Sequence, residues 1–279
     1  MKAASPLRYP GGKWRFAIFF ENIIRLNGLN RTQYIEPYAG GASLALSLLF
    51  KDLVSEIHLN DLDPAIYAFW HSVLTRNRDF IQLLDETPVT PEERTKQKAI
   101  YAKRPMADNF ALGFATFFLN RTNHSGILKN GGMIGGKNQC GRWKIDARFN
   151  RSELRRRIER IGNFGDRIHI SCEDAIEFLR NHNFAETNLI YLDPPYYRSG
   201  RRLYLNAYTP SDHKAVSEYI LGLRFPWIVS YDDVPEIRGL YKNVRSCQIQ
   251  LFHTASFARK GDEILFFAPG LQIPENIQR

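Results

Sequence analysis

The run Leu189-Ile190-Tyr191-Leu192, followed directly by Asp193-Pro194-Pro195-Tyr196, constrains this chain more than any other stretch. Four apolar residues without a polar break read as a strand buried on both faces, the kind that parallel sheets contain. Parallel strands need crossover helices, so the rest of the chain has to supply alternating strands and helices. The tetrapeptide then falls at the carboxyl edge of the sheet, where open α/β sheets bind ligands. Pro194 restricts Asp193 to extended backbone, and Pro195 does the same to Pro194. The loop is therefore stiff, with its carboxylate and carbonyls aimed in set directions.

The expected alternation is present. Strands are predicted at Gln33–Glu36, Glu56–Leu59, Ile168–Ser171, Trp227–Ser230 and Glu263–Phe267. Phe16, Phe19, Phe20, Ile23 and Ile24 recur at helical spacing within Lys13–Leu26. Further helices are predicted over Ala42–Phe50 and Ala175–Arg180, and another opens near Asp63-Pro64, where proline suits the first helical position. Helical patterns fill most of Pro64–Asn120, with a break near Thr87–Pro91. A glycine-rich stretch follows, and then Arg148–Arg160, whose one apolar stripe is Leu154, Ile158 and Ile161. The expected fold is α/β and Rossmann-like. One domain is built from residues 1–65 and 161–279, with a mainly helical region, 66–160, inserted between them.

The chemistry of the Asp-Pro-Pro-Tyr loop points to an amine substrate. An amine conjugated to an aromatic ring is a poor nucleophile, because its lone pair is delocalised. Asp193 and the Pro194 carbonyl offer two acceptors for its two hydrogens and would draw the nitrogen toward tetrahedral geometry, while Tyr196 offers a face for stacking. Against an already activated sulfonium methyl donor, such a site needs neither a metal nor a strong base. A plain stiffened loop capped by Asp193 is the competing reading.

A donor site is predicted around Glu36-Pro37-Tyr38-Ala39-Gly40-Gly41-Ala42-Ser43, between strand and helix, where glycines let backbone pass close to a ligand. It is not GxGxxG, so the ligand need not carry a pyrophosphate. Asp61 ends the second strand about 20 residues beyond the glycines, the place of a ribose-binding acid, though a helix cap explains it equally well. Asp174 follows the next strand and is read either as a contact to the adenine of the donor or as a cap. In Tyr9-Pro10-Gly11-Gly12-Lys13, Lys13 would approach a donor carboxylate and Tyr9 would pack on the donor.

Charge and cysteine content narrow the setting. Lys and Arg total 38 against 29 acids, a formal net charge of +9, which favours polyanionic partners without proving them. The loop from Asn120 to Lys144 holds side chains of the types that read base edges, Asn120, Arg121 and Asn123, and cations suited to phosphate, Lys129, Lys137, Arg142 and Lys144. Its glycines suggest a hairpin able to enter a groove. Tyr197–Tyr208, with Arg198, Arg201 and Arg202, suggests a basic-aromatic loop beside the catalytic one. Three dispersed cysteines, Cys140, Cys172 and Cys247, form no CxxC pair, so no metal centre is predicted and a reducing compartment is. The first 13 residues lack the apolar core of a signal peptide, and no run spans a bilayer. A cytoplasmic protein is expected.

Taken together, five segments resemble the Dam-type family of N6-adenine-specific DNA methyltransferases. They are Arg8-Tyr9-Pro10-Gly11-Gly12-Lys13, Glu36-Pro37-Tyr38-Ala39-Gly40-Gly41, Asn60-Asp61, Phe118-Leu119-Asn120-Arg121-Thr122 and Asp193-Pro194-Pro195-Tyr196, in the family's order. The resemblance implies a Rossmann-like S-adenosylmethionine-dependent methyltransferase core with an inserted target-recognition region. It also implies double-stranded DNA as the partner, its adenine flipped into the site for methylation at N6. By position it assigns Tyr9, Lys13, Glu36, Tyr38, Gly40, Asp61, Asp174 and Asp193 to the cofactor, and Asp193, Pro194 and Tyr196 to catalysis. A cognate restriction endonuclease is compatible with the family, and one active site per chain points to a monomer. Two departures stand out: Tyr38 where members often carry Phe, and Glu173-Asp174-Ala175 in place of a Gly-Asp-Phe-like triplet, which removes an aromatic wall. RNA adenine methylation, cytosine N4 methylation and DNA binding without catalysis remain as alternatives. Cytosine enzymes more often begin the catalytic loop with Ser.

Overall fold

A computed structural model describes residues 4–9, 13–104, 108–198, 208–253 and 259–275. Its centre is a seven-stranded sheet in the order β3-β2-β1-β4-β5-β7-β6. The strands are β1 (Gln33–Glu36), β2 (Glu56–Asn60), β3 (Ile168–Ser171), β4 (Leu189–Leu192), β5 (Trp227–Asp232), β6 (Ser246–His253) and β7 (Arg259–Phe267). Strands β1 to β5 run parallel, whereas β7 is antiparallel to both β5 and β6. All four residues of β4 are buried, as its uninterrupted apolar run requires. Strand order reverses between β1 and β4, which creates a crevice at their carboxyl ends.

Ten helices accompany the sheet among the described residues: α1 (Ala17–Leu26), α2 (Ser43–Leu49), α3 (Pro64–Thr75), α4 (Asn77–Glu86), α5 (Pro91–Ala102), α6 (Asn109–Thr122), α7 (Arg151–Asn163), α8 (Ala175–Asn181), α9 (Pro210–Leu221) and α10 (Pro235–Leu240). Local chemistry sets several of their starts. Asp63 caps α3 by accepting from Ala65 N, and Thr90 and Asp108 cap α5 and α6 in the same way. Thr209 and Asp212 form a reciprocal capping box at α9. None of the helices is long and apolar enough to cross a membrane.

Helices α3 to α7 lie in chain order between the parallel neighbours β2 and β3. They do not pack apart from the sheet. Phe69, Phe80, Phe114, Phe117, Phe118, Leu154 and Ile158 belong to the same buried cluster as Tyr34, Ile57 and Leu189. A smaller cluster, Ala65, Ala68, Tyr101, Leu112, Ala115 and Leu119, cements α3, α5 and α6. The close approach of α3 and α6 needs Gly113, where a Cβ would stand 2.4 Å from the Ala68 carbonyl oxygen.

Three elements went unread in the sequence. The inward face of α9 is His213, Val216, Ser217 and Ile220, so half of its stripe is polar. Strand β6 lies at the sheet edge, and its first residues alternate between exposed and half-buried, leaving little apolar signal. The third is α10, a short helix with a single fully buried apolar residue, Ile237. The glycine-rich stretch forms no paired strands; one isolated antiparallel bridge, Asn123 to Met133, closes it.

Candidate active site

The Asp-Pro-Pro-Tyr loop leaves the end of β4 at the switch point, and its neighbours brace it. Asp232, at the end of β5, accepts from the backbone N–H groups of Tyr197 and Arg198, both at 2.9 Å. Ser230 Oγ donates to Asp193 Oδ1 at 2.6 Å and lies 2.9 Å from the Tyr191 hydroxyl. The Asp193 side chain keeps a quarter of its surface exposed, so the carboxylate is held but open.

Lys13 enters this site from the turn before α1. Its ammonium lies 2.9 Å from Glu263 Oε2 of β7, 3.2 Å from Asp193 Oδ1 and 2.5 Å from the Tyr196 hydroxyl. Lys13 is 7% and Glu263 1% exposed, so a buried ion pair sits beneath the partly open Asp193 carboxylate. Burial disfavours the ammonium, yet Asp193 and Glu263 more than offset it and raise the Lys13 pKa. Burial, with the nearby Asp193 charge, holds the Tyr196 phenol well above its ordinary value, so Tyr196 stays neutral.

A cavity opens beside Asp193. The glycine turn after β1, the end of β2 and the N-terminal segment enclose it, through Tyr9, Lys13, Glu36, Tyr38, Gly40 and Asp61. Gly40 has φ +45°, and a Cβ there would stand 2.8 Å from the Tyr9 ring. Only glycine therefore lets Tyr9 cover the turn. Asp61 accepts from Gly40 N at 2.8 Å and from Asp63 N at 2.9 Å, while Trp70 Nε1 donates to the Gly40 carbonyl at 3.0 Å. Burial pushes the Asp61 carboxyl up to about 7, against the two backbone donors. Glu36 rises to about 8, again mainly through burial, although the Tyr34 hydroxyl donates to it at 3.0 Å. A buried carboxyl, Glu36, and a half-buried one, Asp61, thus face one cavity beside the partly open Asp193.

A D12 class N6 adenine-specific DNA methyltransferase profile matches residues 9–254. The chain belongs to that family. It is an adenine-specific DNA methyltransferase. A curated relative, the Type II methyltransferase M.MjaIII of Methanocaldococcus jannaschii, is 25% identical over 223 residues, 74% of this chain and 73% of the relative. Among solved structures, a protein assigned as an RNA methyltransferase from Pyrococcus horikoshii aligns at TM-score 0.42 and 10% identity, over 94% of this chain and 84% of that one. A SAM-dependent methyltransferase from Agrobacterium tumefaciens aligns at TM-score 0.34 and 11% identity, over 92% and 62%.

In this methyltransferase, Tyr9, Lys13, Glu36, Tyr38, Gly40, Asp61 and Asp193 all line this cavity. Asp174 does not line it; the side chain caps α8, accepting from Ile176 N at 2.9 Å and Glu177 N at 3.3 Å, while Glu173 and Ala175 reach the cavity wall. Where the lost aromatic wall was expected, Tyr208 joins the lining, its hydroxyl 2.9 Å from that of Tyr38. Two carboxylates, Asp193 and Glu263, already pair with Lys13 at the cavity wall.

Asn120, Arg121 and Asn123, expected to read base edges, turn their polar groups to partners within the fold. Asn120 is wholly buried; its amide accepts from Arg8 N at 2.7 Å and donates to the Arg8 and Gly126 carbonyls at 2.8 and 2.9 Å. Asn123 is also buried, accepting from Arg94 and donating to Ile127. Arg121 donates to the carbonyls of Arg148 and Pro6, and burial, reinforced by Arg8, Arg157 and Arg148, lowers its pKa to about 9. These residues lock the segment that carries Tyr9 and Lys13 against α6. Lys137, Arg142 and Lys144 are exposed, whereas Lys129 is half-buried at the cavity rim. Of the basic-aromatic loop, residues 199–207 lie outside the described residues.

Sequence reasoning missed Glu263, Ser230 and Asp232 as parts of the site. One signal was available: Glu263 is an acid leading an otherwise apolar strand, and burying it demands a partner.

Proposed function

We propose that this enzyme methylates N6 of an adenine flipped out of duplex DNA, with S-adenosylmethionine in the cavity enclosed by Tyr9, Glu36, Gly40 and Asp61. The observation that carries the reading is that the glycine turn and the Asp193 carboxylate share one cavity at the switch point. The residues suit the donor. Glu36 and Asp61 are carboxyls whose burial leaves their charge poorly compensated, and a ligand bearing an ammonium, a sulfonium and ribose hydroxyls supplies the cations and donors they lack. Bound S-adenosylmethionine would contribute a methyl group already activated on sulfur.

Protein side chains do the rest by positioning. Asp193 and the Pro194 carbonyl accept the two N6 hydrogens and free the nitrogen lone pair to form the N–C bond as the S–C bond breaks. The nitrogen then sheds one hydrogen, for which Asp193 is the nearest acceptor. Tyr196 stacks on the base, an interaction worth about 1–3 kcal/mol, with its hydroxyl anchored by Lys13. Lys137, Arg142 and Lys144 contact backbone phosphate. Residues 66–160 act as the DNA-reading part of a monomeric enzyme, and a cognate restriction endonuclease is the partner by analogy with the Type II relative.

Mixed-sequence duplex DNA incubated with methyl-labelled S-adenosylmethionine, then digested to nucleosides, tests this reading. Label is expected in N6-methyladenine and is lost in Asp193→Ala. Label in N4-methylcytosine, or in RNA but not DNA, would overturn the substrate assignment.

A further inference from the structure

A second cluster of polar side chains lies at the other end of the sheet. Glu56 opens β2 and His58 follows two residues later, so both side chains project from the same face. His58 pairs in register with His169 on β3, the outermost parallel strand. The ligating atoms of Glu56, His58 and His169 all lie within 4.8 Å of one another. His169 Nε2 is 2.6 Å from Glu56 Oε2, and His58 Nε2 is 3.9 Å from Glu56 Oε1. The two imidazoles stack with centroids 4.5 Å apart.

His58 Nε2 is buried without a hydrogen-bond partner, which is uncommon for a ring nitrogen in a folded protein. Gln33 donates to Glu56 Oε1, as outer partners orient a metal-binding carboxylate. The methyl-transfer site uses none of these groups.

We propose that Glu56, His58 and His169 form a binding site for a divalent transition ion of the zinc class, which clamps β3 to β2. Two imidazole nitrogens and one carboxylate oxygen, completed by water, make a four-coordinate set that Zn2+ accepts. This mixture selects zinc, nickel or copper over magnesium or calcium. Bonds of about 2.0–2.2 Å in tetrahedral geometry place ligand atoms about 3.3 Å apart. His169 lies 2.6 Å from one Glu56 oxygen and His58 3.9 Å from the other. A small turn of the carboxylate is therefore needed to present one oxygen to both rings, whose ligand atoms already lie within 4.8 Å of it. Bringing both ring lone pairs onto one ion asks the stacked imidazoles to turn toward each other. His169 is nearly half exposed and Glu56 more than a quarter, so an ion can enter from solvent.

The test uses untagged full-length protein, stripped with EDTA, near neutral pH. Calorimetric titration with Zn2+ should show one ion per chain at micromolar affinity, and Co2+ should give the visible absorption of a nitrogen- and oxygen-bound tetrahedral ion. Zn2+ in hundredfold excess over Kd should raise Tm by about 5 °C, reversed by EDTA. His169→Gln and Glu56→Gln should each weaken Zn2+ binding at least tenfold; both positions are partly exposed, and the Tm of the metal-free variants checks their folding. The proposal falls if the native chain takes up no Zn2+ at about 100 µM. It falls equally if His169→Gln binds as the native chain does, which would move the ion to the free cysteines Cys140, Cys172 and Cys247.

Discussion

Replacing Glu263 by Gln removes the closer of the two carboxylates that hold Lys13, at 2.9 Å against 3.2 Å for Asp193. Deleting one member of a buried ion pair typically costs about 3–5 kcal/mol. Here Asp193 remains as a partner, so the expected loss is nearer about 1–3 kcal/mol. For a chain of this size that lowers Tm by about 2–5 °C. Catalysis should suffer separately. Without Glu263 the ammonium settles on Asp193, and a carboxylate neutralised at close range is a weaker acceptor for the amine hydrogen. Weakening one charge-assisted hydrogen bond in the transition state is worth up to about 1.5–3 kcal/mol, a drop of about 10- to 150-fold in kcat. Single-turnover methylation at saturating donor and DNA measures it, with the donor Kd expected to stay within about twofold. If Glu263 acts through Lys13, adding Glu263→Gln to Lys13→Met should cost little more than Lys13→Met alone. Native kcat in Glu263→Gln, or full additivity in the double variant, would refute the reasoning.

Other expectations are more quickly checked. Glu36 titrates at about 8 in the fold against 4.5 ordinarily, so the folded chain holds the extra proton between those values. Stability should therefore fall as pH rises across that window, by at most about 1.4 kcal/mol per pH unit, and Glu36→Gln should flatten the thermal-melting profile. Donor binding runs the other way: a cation beside Glu36 favours its ionised form, so calorimetric affinity should strengthen with rising pH through about 8. Asn120→Ala strands the Arg8 N–H and two carbonyls, and should cost about 3 kcal/mol in chemical denaturation while loosening Tyr9 and weakening donor binding. Replacing Lys137, Arg142 and Lys144 by Ala should weaken DNA binding and flatten its salt dependence by up to about 0.9 for each phosphate no longer neutralised, leaving donor affinity unchanged.

The placement of the candidate site was legible because local chemistry and sheet position coincide. An apolar run can end only at a sheet edge, and the prolines after Leu192 leave Asp193 nowhere else to stand. The glycine turn after β1 was equally readable, since backbone that passes this close to another group tolerates no Cβ. The direction in which polar side chains turn was not readable. Asn120, Arg121 and Asn123 have the residue types that read bases. Their partners are instead the Arg94 side chain and backbone groups of Arg8, Pro6, Gly126, Ile127 and Arg148, brought near only when α6 packs against the segments around it.

The five parallel strands, most of the helices before β4 and the position of the Asp-Pro-Pro-Tyr loop thus follow from the sequence alone, because periodicity and proline act within a few residues. Tertiary structure decided which charges meet: Lys13 with Glu263, 250 positions away, and His58 with His169 across two strands. Those pairings rest on the distances between elements packed around one core, and no local pattern encodes such distances.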